Sequence, residues 1–340
     1  MRSTRRLSLR RRSALLMGAA SLAAPALLTV QAGEAQAFGT INSLGQRAEH
    51  ERITRAALAC AAGTASDGSC FEARSIDQVA GHTGTFGAVG SPDSDEIFTP
   101  EAHCDDADYL TASGYPRTRQ QASDQLIACI SKLQGRFSQG VAAGSGTLNG
   151  DGTVSPGNSD LSTDCTFTGG VPGRGKCNAI EGFGRALHGV QDFYSHSNWA
   201  DKADPNQAVG VNNPPGLNMS GPAPLLSLKS GRPPAASSVP AQLSTGCFSL
   251  NPWGCSGRVT HTTLNKDTGL IDPATGATSD PTTNRGRIPG NFDRAVKGAI
   301  ADTRRQWADF RSALNERYGA ERGQRIACVL THDNPVRDCR

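Results

Sequence analysis

The sequence predicts a mainly α-helical protein whose helices are separated by long irregular loops. Apolar residues recur at helical spacing in four separate stretches. No alternating strand pattern persists for more than a few residues. The stretches at about 138–177 and 201–258 are rich in Gly, Ser, Pro and Asn, and are longer than ordinary connections in a compact domain.

The helices follow in order. Gln46 to Ala62 has few breakers, sets Ile53, Ala57 and Leu58 on one side, and meets a stop signal at Gly63. Arg117 to Phe137 carries Leu126, Ile127, Ile130, Leu133 and Phe137. Asn178 to His196 carries Ile180, Phe183, Leu187, Val190 and Tyr194. Phe292 to Tyr318 has the longest stripe, with Phe292, Val296, Ile300, Trp307, Phe310 and Leu314, and ends at Gly319. Gly182, Gly184 and Gly189 are unusual inside a helix, since each costs roughly 1 kcal/mol against Ala. They predict close approach by another helix.

Residues 1–37 read as a signal peptide. Six arginines open it, Ala14 to Val30 is apolar or small, and Ala35-Gln36-Ala37 is an A-x-A cleavage signal. The apolar run falls short of the ~20 strongly apolar residues of a spanning helix. Arg5-Arg6 leaves both the general secretory route and the twin-arginine route open. The expected working chain is therefore 38–340, a single extracellular domain. With six Arg and one acid in the leader, it keeps 28 basic and 30 acidic side chains, net −2. That balance gives no basic footprint for nucleic acid.

Ten cysteines remain, an even number that argues for disulfides in an exported chain. No C-x-x-C occurs, which argues against cysteine-type zinc sites and thioredoxin-like chemistry. Sequence does not fix the connectivity. Pairing each cysteine with its neighbour gives Cys60–Cys70, Cys104–Cys129, Cys165–Cys177, Cys247–Cys255 and Cys328–Cys339. Each would staple a loop for ~2–4 kcal/mol.

The chemistry concentrates on one helix. At 100° per residue, Asp192 lies about 40° and His196 about 80° around the axis from His188. Glu181 falls within about 20° of His188 on the same face. Imidazole, carboxylate and imidazole on one stripe suit a metal ion, for which zinc is the natural candidate. The alternative is a solvated face with two ordinary histidines, yet the whole chain holds only seven histidines. His103, among acids, and His261 are further candidates. His82 and His332 read as surface residues, and Trp199, Trp253 and Trp307 as packing, with Trp199 close enough to the motif to rim a pocket.

Leu187-His188, Asp192-Phe193-Tyr194 and His196-Ser197-Asn198 together resemble the signature of the heterokaryon-incompatibility C family. More distantly the run resembles the zinc-dependent phospholipases C and the single-strand-specific zinc nucleases. More loosely, the chain is similar to the CinY group of secreted bacterial proteins. Phe38-Gly39 followed by Ala48-Glu49-His50-Glu51 resembles the mature start of those families. Pro92-Asp93-Ser94-Asp95 followed by His103 resembles their acid–histidine pair.

The resemblance implies a phospholipase C-type helical bundle holding one to three zinc ions. Its ligands would come from Phe38 (through its amino terminus), His50, His103, His188, Asp192, His196 and His261. Asp93 or Asp95 would accept the proton of the attacking water, and Glu181 or Asn198 would orient the ligands from behind. The implied reaction is phosphoester hydrolysis, with a phospholipid head group as first substrate and contact with a membrane surface. Net charge disfavours nucleic acid, which makes a single-strand nuclease the enzyme alternative. Two non-enzymatic alternatives remain. One is a metal-stabilised interaction protein in which His50, His188, Asp192 and His196 close a single zinc. The other is a disulfide-stapled secreted protein without metal.

The chain departs from those families at three places. The spacing between Asp192 and His196 is shorter than in the phospholipases. Phe38 stands where they carry Trp. Their final His–acid pair is not present as such, because Asn265 follows His261 at the expected offset and Asp267 lies two residues further on.

Overall fold

A computed structural model describes residues 38–43, 45–167, 173–249 and 254–340, and these hold thirteen α-helices, many of a single turn. The expected leader and Trp253 lie outside the described residues. The helices are α1 (Glu49–Leu58), α2 (Ala73–Ala80), α3 (Gly87–Gly90), α4 (Pro92–Asp95), α5 (Pro100–His103), α6 (Arg119–Ala143), α7 (Pro156–Ser159), α8 (Gly175–His196), α9 (His261–Leu264), α10 (Asn284–Arg287), α11 (Asn291–Tyr318), α12 (Ala320–Thr331) and α13 (Pro335–Asp338). One antiparallel pair, Leu270–Ile271 with Thr278–Ser279, is the only sheet among the described residues. No described helix is long and apolar enough to cross a membrane.

Helix α8 is the axis of the molecule, and every residue of it but Asn178 and Glu181 is buried. It packs along α6 and α11, with α3 and α5 against its remaining sides. The glycines decide how close these neighbours come. A Cβ on Gly182 would lie 2.4 Å from the Gly140 nitrogen and 2.6 Å from its Cα. One on Gly189 would lie 2.6 Å from the Ala102 carbonyl oxygen. Backbone occupies the space where side chains would stand, so α6 and α5 both rest directly on α8. Phe183 of α8 packs on Trp307 and Phe310 of α11, and Phe310 meets Phe137 of α6 edge to face.

Element boundaries differ from the sequence expectation in instructive ways. Helix α1 stops at Leu58 rather than running towards Gly63, because Ala59 leaves the helix to bridge Phe71 beside the Cys60–Cys70 disulfide. Helix α6 starts at a Thr118–Gln121 capping box and runs on past Phe137 to Ala143, which seats Gly140 on α8. Helices α2 and α12 have no counterpart among the expected segments. Gly319, with φ 81°, ends α11 and lets α12 begin at once in a new direction. The other disulfides are Cys104–Cys129, Cys165–Cys177, Cys247–Cys255 and Cys328–Cys339, so each cysteine pairs with its neighbour.

Candidate metal centre

His188, Asp192 and His196 sit on one face of α8, and all three are fully buried. The face is polar yet shielded from solvent, because short elements are laid across it. Helix α1 brings His50 in its first turn. Helices α4 and α5 bring Asp93 and His103, and the residue after α5's C-cap is Asp105. The chain around α9 brings His261 and Asp267.

Two groups result. In the first, Asp192 stands between three imidazoles. Its Oδ1 lies 3.1 Å from His50 Nε2. Its Oδ2 lies 2.9 Å from His188 Nε2 and 3.0 Å from His103 Nδ1. Asp93 Oδ1 closes the set at 3.6 Å from His188 Nε2 and 3.8 Å from His103 Nδ1. Thr40 donates its hydroxyl to the other Asp93 oxygen.

Each imidazole is held from behind. His188 Nδ1 donates to the Val89 carbonyl at 2.8 Å, His50 Nδ1 to Gln191 Oε1 at 2.8 Å, and His103 Nε2 to the Glu96 carbonyl at 3.3 Å. The Gln191 amide is itself fixed, since its nitrogen donates to Thr54 and Thr303. These bonds turn the free nitrogen of each ring towards Asp192, the arrangement in which proteins present histidine to a metal.

The second group lies further along α8. His196 Nδ1 is 3.0 Å from Asp105 Oδ1, and His261 Nδ1 is 3.8 Å from Asp105 Oδ2. Asp267 takes the other side. His261 Nε2 donates to Asp267 Oδ2 at 3.1 Å, and His196 Nε2 lies 3.4 Å from Asp267 Oδ1, which also accepts the Ser195 hydroxyl.

The decisive feature is what these atoms lack. His50 Nε2, Asp192 Oδ1, Asp105 Oδ1, both nitrogens of His196 and His261 Nδ1 are buried without a hydrogen-bond partner among the described residues. Some stand within 3.1 Å of each other, yet their orientation is wrong for a hydrogen bond. Buried unpaired polar groups are costly, about 1–3 kcal/mol each. Lone pairs that converge on one point and satisfy nothing are what a cation would satisfy. His50–His188–Asp192, Asp93–His103–His188 and Asp105–His196–His261 each bring three ligand atoms within 4.8 Å of one another. Cys328–His332–Cys339 and Asp106–Cys247–Cys255 do so as well, but their sulfurs are tied up in disulfides.

The field of the acids is equally plain. Burial alone would push His103 down, but Asp192 and Asp93 lift it to about 9. His50 is also raised against its burial by Asp192, and His196 is raised well above its ordinary value by Asp105 and Asp192. His188 and His261 are held low by burial. Burial pushes Asp192 up, but the surrounding imidazoles bring it well below the usual carboxylate range. Both groups therefore favour positive charge at their centres.

A cavity of about 190 Å³ opens onto both groups, lined by Asp93, His103, Asp105, His196 and His261 together with Thr40, Ile41, Gln46, Phe86, Ser94, Ile97 and Phe248. No lysine or arginine is among these described lining residues.

The structure gathers Asp93, His50, His103, His188, Asp192, His196 and His261 into this region. Phe38 is buried with its ring edge-on to His50 at 6.0 Å, and the Gly39 carbonyl accepts the His50 N–H. Five other residues stand elsewhere. Both Asp95 oxygens are held by Arg185, at 2.8 and 2.6 Å, which draws that carboxylate away from the histidines. Glu181 pairs with the same Arg185. Asn198 holds the long loop rather than a ligand, bonding the Pro215 and Gln242 carbonyls and the Ser244 N–H. Trp199 is buried in the core and is not among the described residues that line the cavity beside the two groups. His332 is buried too, against the Cys328 carbonyl, contrary to the surface position expected of it. His50, His188, Asp192 and His196 do not close one four-ligand site, because His196 belongs with Asp105 and His261.

Asp105, Asp267 and Gln191 were not expected. Gln191 and Asp192 adjoin in the motif, but nothing in sequence says that Gln191 reaches across to α1. Asp267 lies at an offset from His261 that a continuous helix would not use, because α9 ends at Leu264 and the chain turns before Asp267. No family model, curated protein or solved structure matches this chain.

Proposed function

We propose that this chain is an exported, zinc-dependent phosphoester hydrolase of the phospholipase C type. The observation that supports it best is the convergence of unpaired buried nitrogens and carboxylate oxygens beside an open cavity. A structural zinc site is closed by four protein ligands, whereas a hydrolytic one keeps a position facing substrate. Here both groups border the cavity. Five disulfides suit a chain that works in an oxidising compartment.

Asp192, His50, His103, His188 and Asp93 would hold zinc at the first group, and His196, His261 and Asp105 at the second, with Asp267 fixing the His261 tautomer. Zinc held there supplies Lewis-acid stabilisation for the charge that develops on phosphoryl oxygens. The side chains place and shield the substrate. Asp93 lines the cavity, and in this reading it would accept the proton of an attacking water. Ile41, Phe86, Ile97 and Phe248 give the cavity an apolar wall. That wall, without lysine or arginine among its described residues, suits a phosphoester carrying an apolar group better than a polyanion. The amino group of a chain that begins at Phe38 would complete the His50 side.

Elemental mass spectrometry of the exported protein, followed by hydrolysis assays on phosphatidylcholine vesicles and single-stranded DNA, tests the reading. Two or three zinc ions per chain and release of phosphocholine support it. Preferential DNA cleavage would instead make the protein a nuclease. Zinc-loaded protein that cleaves neither would end the hydrolase reading. An extra Met before Phe38 that leaves zinc content unchanged would remove the amino group from the ligand set.

A further inference from the structure

Among the described residues, one tripeptide serves both groups. His103 faces His188 and Asp192 in the first, Asp105 faces His196 and His261 in the second, and Cys104 stands between them. Cys104 has φ 55° and ψ 28°, a left-handed conformation that residues other than glycine adopt at a cost. It sends the two flanking side chains to different places along α8.

Hydrogen bonds and one covalent link hold this turn: Phe248 N–H and Arg258 reach the Asp106 carboxylate, Arg117 donates to the Asp106 carbonyl, and Ala107 N–H donates to the Thr245 hydroxyl. Helix α5, which leads into it, is four residues long and cannot sustain itself. Its backbone anchors are the Cys104 and Asp105 N–H groups, both to the Pro100 carbonyl within the same turn, and Asp106 N–H to the Gly246 carbonyl. The anchor at Cys104 itself is covalent. Cys104 is joined to Cys129 of α6, and both are fully buried. Helix α6 in turn rests on α8 through Gly140 and Gly182. Helix α8 carries the ligands that His103 and Asp105 must meet. The disulfide thus closes a frame from α8 through α6 to the tripeptide.

We infer that the Cys104–Cys129 disulfide is a positioning crosslink that sets His103 and Asp105 for both metal groups at once, so that opening it loosens metal at both. This rests on the metal-binding reading above. The four other disulfides do not include a residue that lies between two candidate ligands.

The test uses the exported mature protein and reads zinc per chain, and zinc affinity by competition with a chromogenic chelator. Four proteins are compared: wild type, Cys104→Ala/Cys129→Ala, Cys104→Gly/Cys129→Ala and Cys328→Ala/Cys339→Ala. The alanine pair is expected to bind zinc at least tenfold more weakly at more than one site while its far-ultraviolet circular dichroism is retained. The glycine pair is expected to regain part of that loss, because glycine takes the left-handed conformation freely. The Cys328/Cys339 pair is expected to melt earlier yet bind zinc as wild type does.

If the alanine pair does not fold, wild type is titrated with a phosphine reductant. Zinc release should then follow the appearance of thiols at 104 and 129 mapped by mass spectrometry. Wild-type affinity in the alanine pair, equal loss in the Cys328/Cys339 pair, or zinc release that tracks other thiols would overturn the inference while leaving the metal centre standing. A wild type that binds no zinc would overturn both.

Discussion

Asp192 Oδ1 lies 3.1 Å from His50 Nε2, both atoms are buried, and neither has a hydrogen-bond partner among the described residues. The other oxygen of the same carboxylate meets His188 and His103. One side chain therefore joins α8 to α1 and α5. Asp192→Asn keeps the shape and removes the charge, and zinc content is expected to fall by more than one ion per chain. Gln191→Leu leaves every ligand in place but frees the His50 ring. It should weaken zinc binding by about 10–100-fold without abolishing it. Unchanged stoichiometry in Asp192→Asn, read by elemental mass spectrometry, would show that this carboxylate is structural.

The second group divides its acids by role. Asp105 faces unpaired nitrogens of His196 and His261, whereas Asp267 already accepts from His261 and Ser195. Asp105→Asn should cost one zinc outright. Asp267→Asn should retain that ion with affinity reduced about 10–100-fold, as for other groups that orient a ligand. Equal effects from the two variants in chelator competition would mean that Asp267 is itself a ligand.

Close packing of α6 on α8 makes a separate prediction. Gly182→Ala would press a methyl group onto the backbone of Gly140 and the Arg136 carbonyl. Overpacking costs about 1–3 kcal/mol and backbone cannot step aside, so the clash should outweigh the ~1 kcal/mol gained in helix propensity. Gly135→Ala, on the exposed side of α6 with nothing within 4 Å of its Cβ, should gain up to ~1 kcal/mol. Thermal melts of the two variants are expected to move in opposite directions.

Lys176 gives the pH dependence. It is fully buried in the first turn of α8, donating to Ser75 and to the His332 carbonyl, and burial holds it down to about 7 despite Asp333 and Glu72 nearby. The unfolded chain keeps its proton up to about 10. Between those limits the unfolded state binds the extra proton, so this lysine's contribution to stability rises with pH from about 7 to 10. Below about 7 both states are charged and the burial penalty is felt in full. Lys176→Met removes the penalty. Its stability relative to wild type should therefore be greatest near pH 6 and fall by a few kcal/mol towards pH 10. A difference that stays constant across denaturation curves at pH 6, 8 and 10 would show that Lys176 does not titrate in this range.

The central helix and its ligand stripe were legible because both are local. Periodicity places His188, Asp192 and His196 on one face whatever surrounds them. The neighbour pairing of cysteines was legible for a similar reason, since the separations of 8 to 25 residues keep each pair within one loop or between adjoining elements. Asp95 and Asp93 could not be told apart in sequence. They differ because Arg185 takes one and the cavity receives the other.

The sequence by itself determined a mainly helical chain, rich in disulfides, with a histidine–aspartate stripe fit for a metal. Those properties follow from residue spacing, from composition and from the chemistry of the side chains. Only the tertiary structure decided that the stripe is buried, that Asp192 stands between two sets of histidines, and that His196 joins Asp105 and His261 instead. It did so because long-range packing, set by glycines on α8 and by the short helices laid across it, brings together atoms that lie far apart in the chain. Spacing along one helix carries no information about what arrives from another.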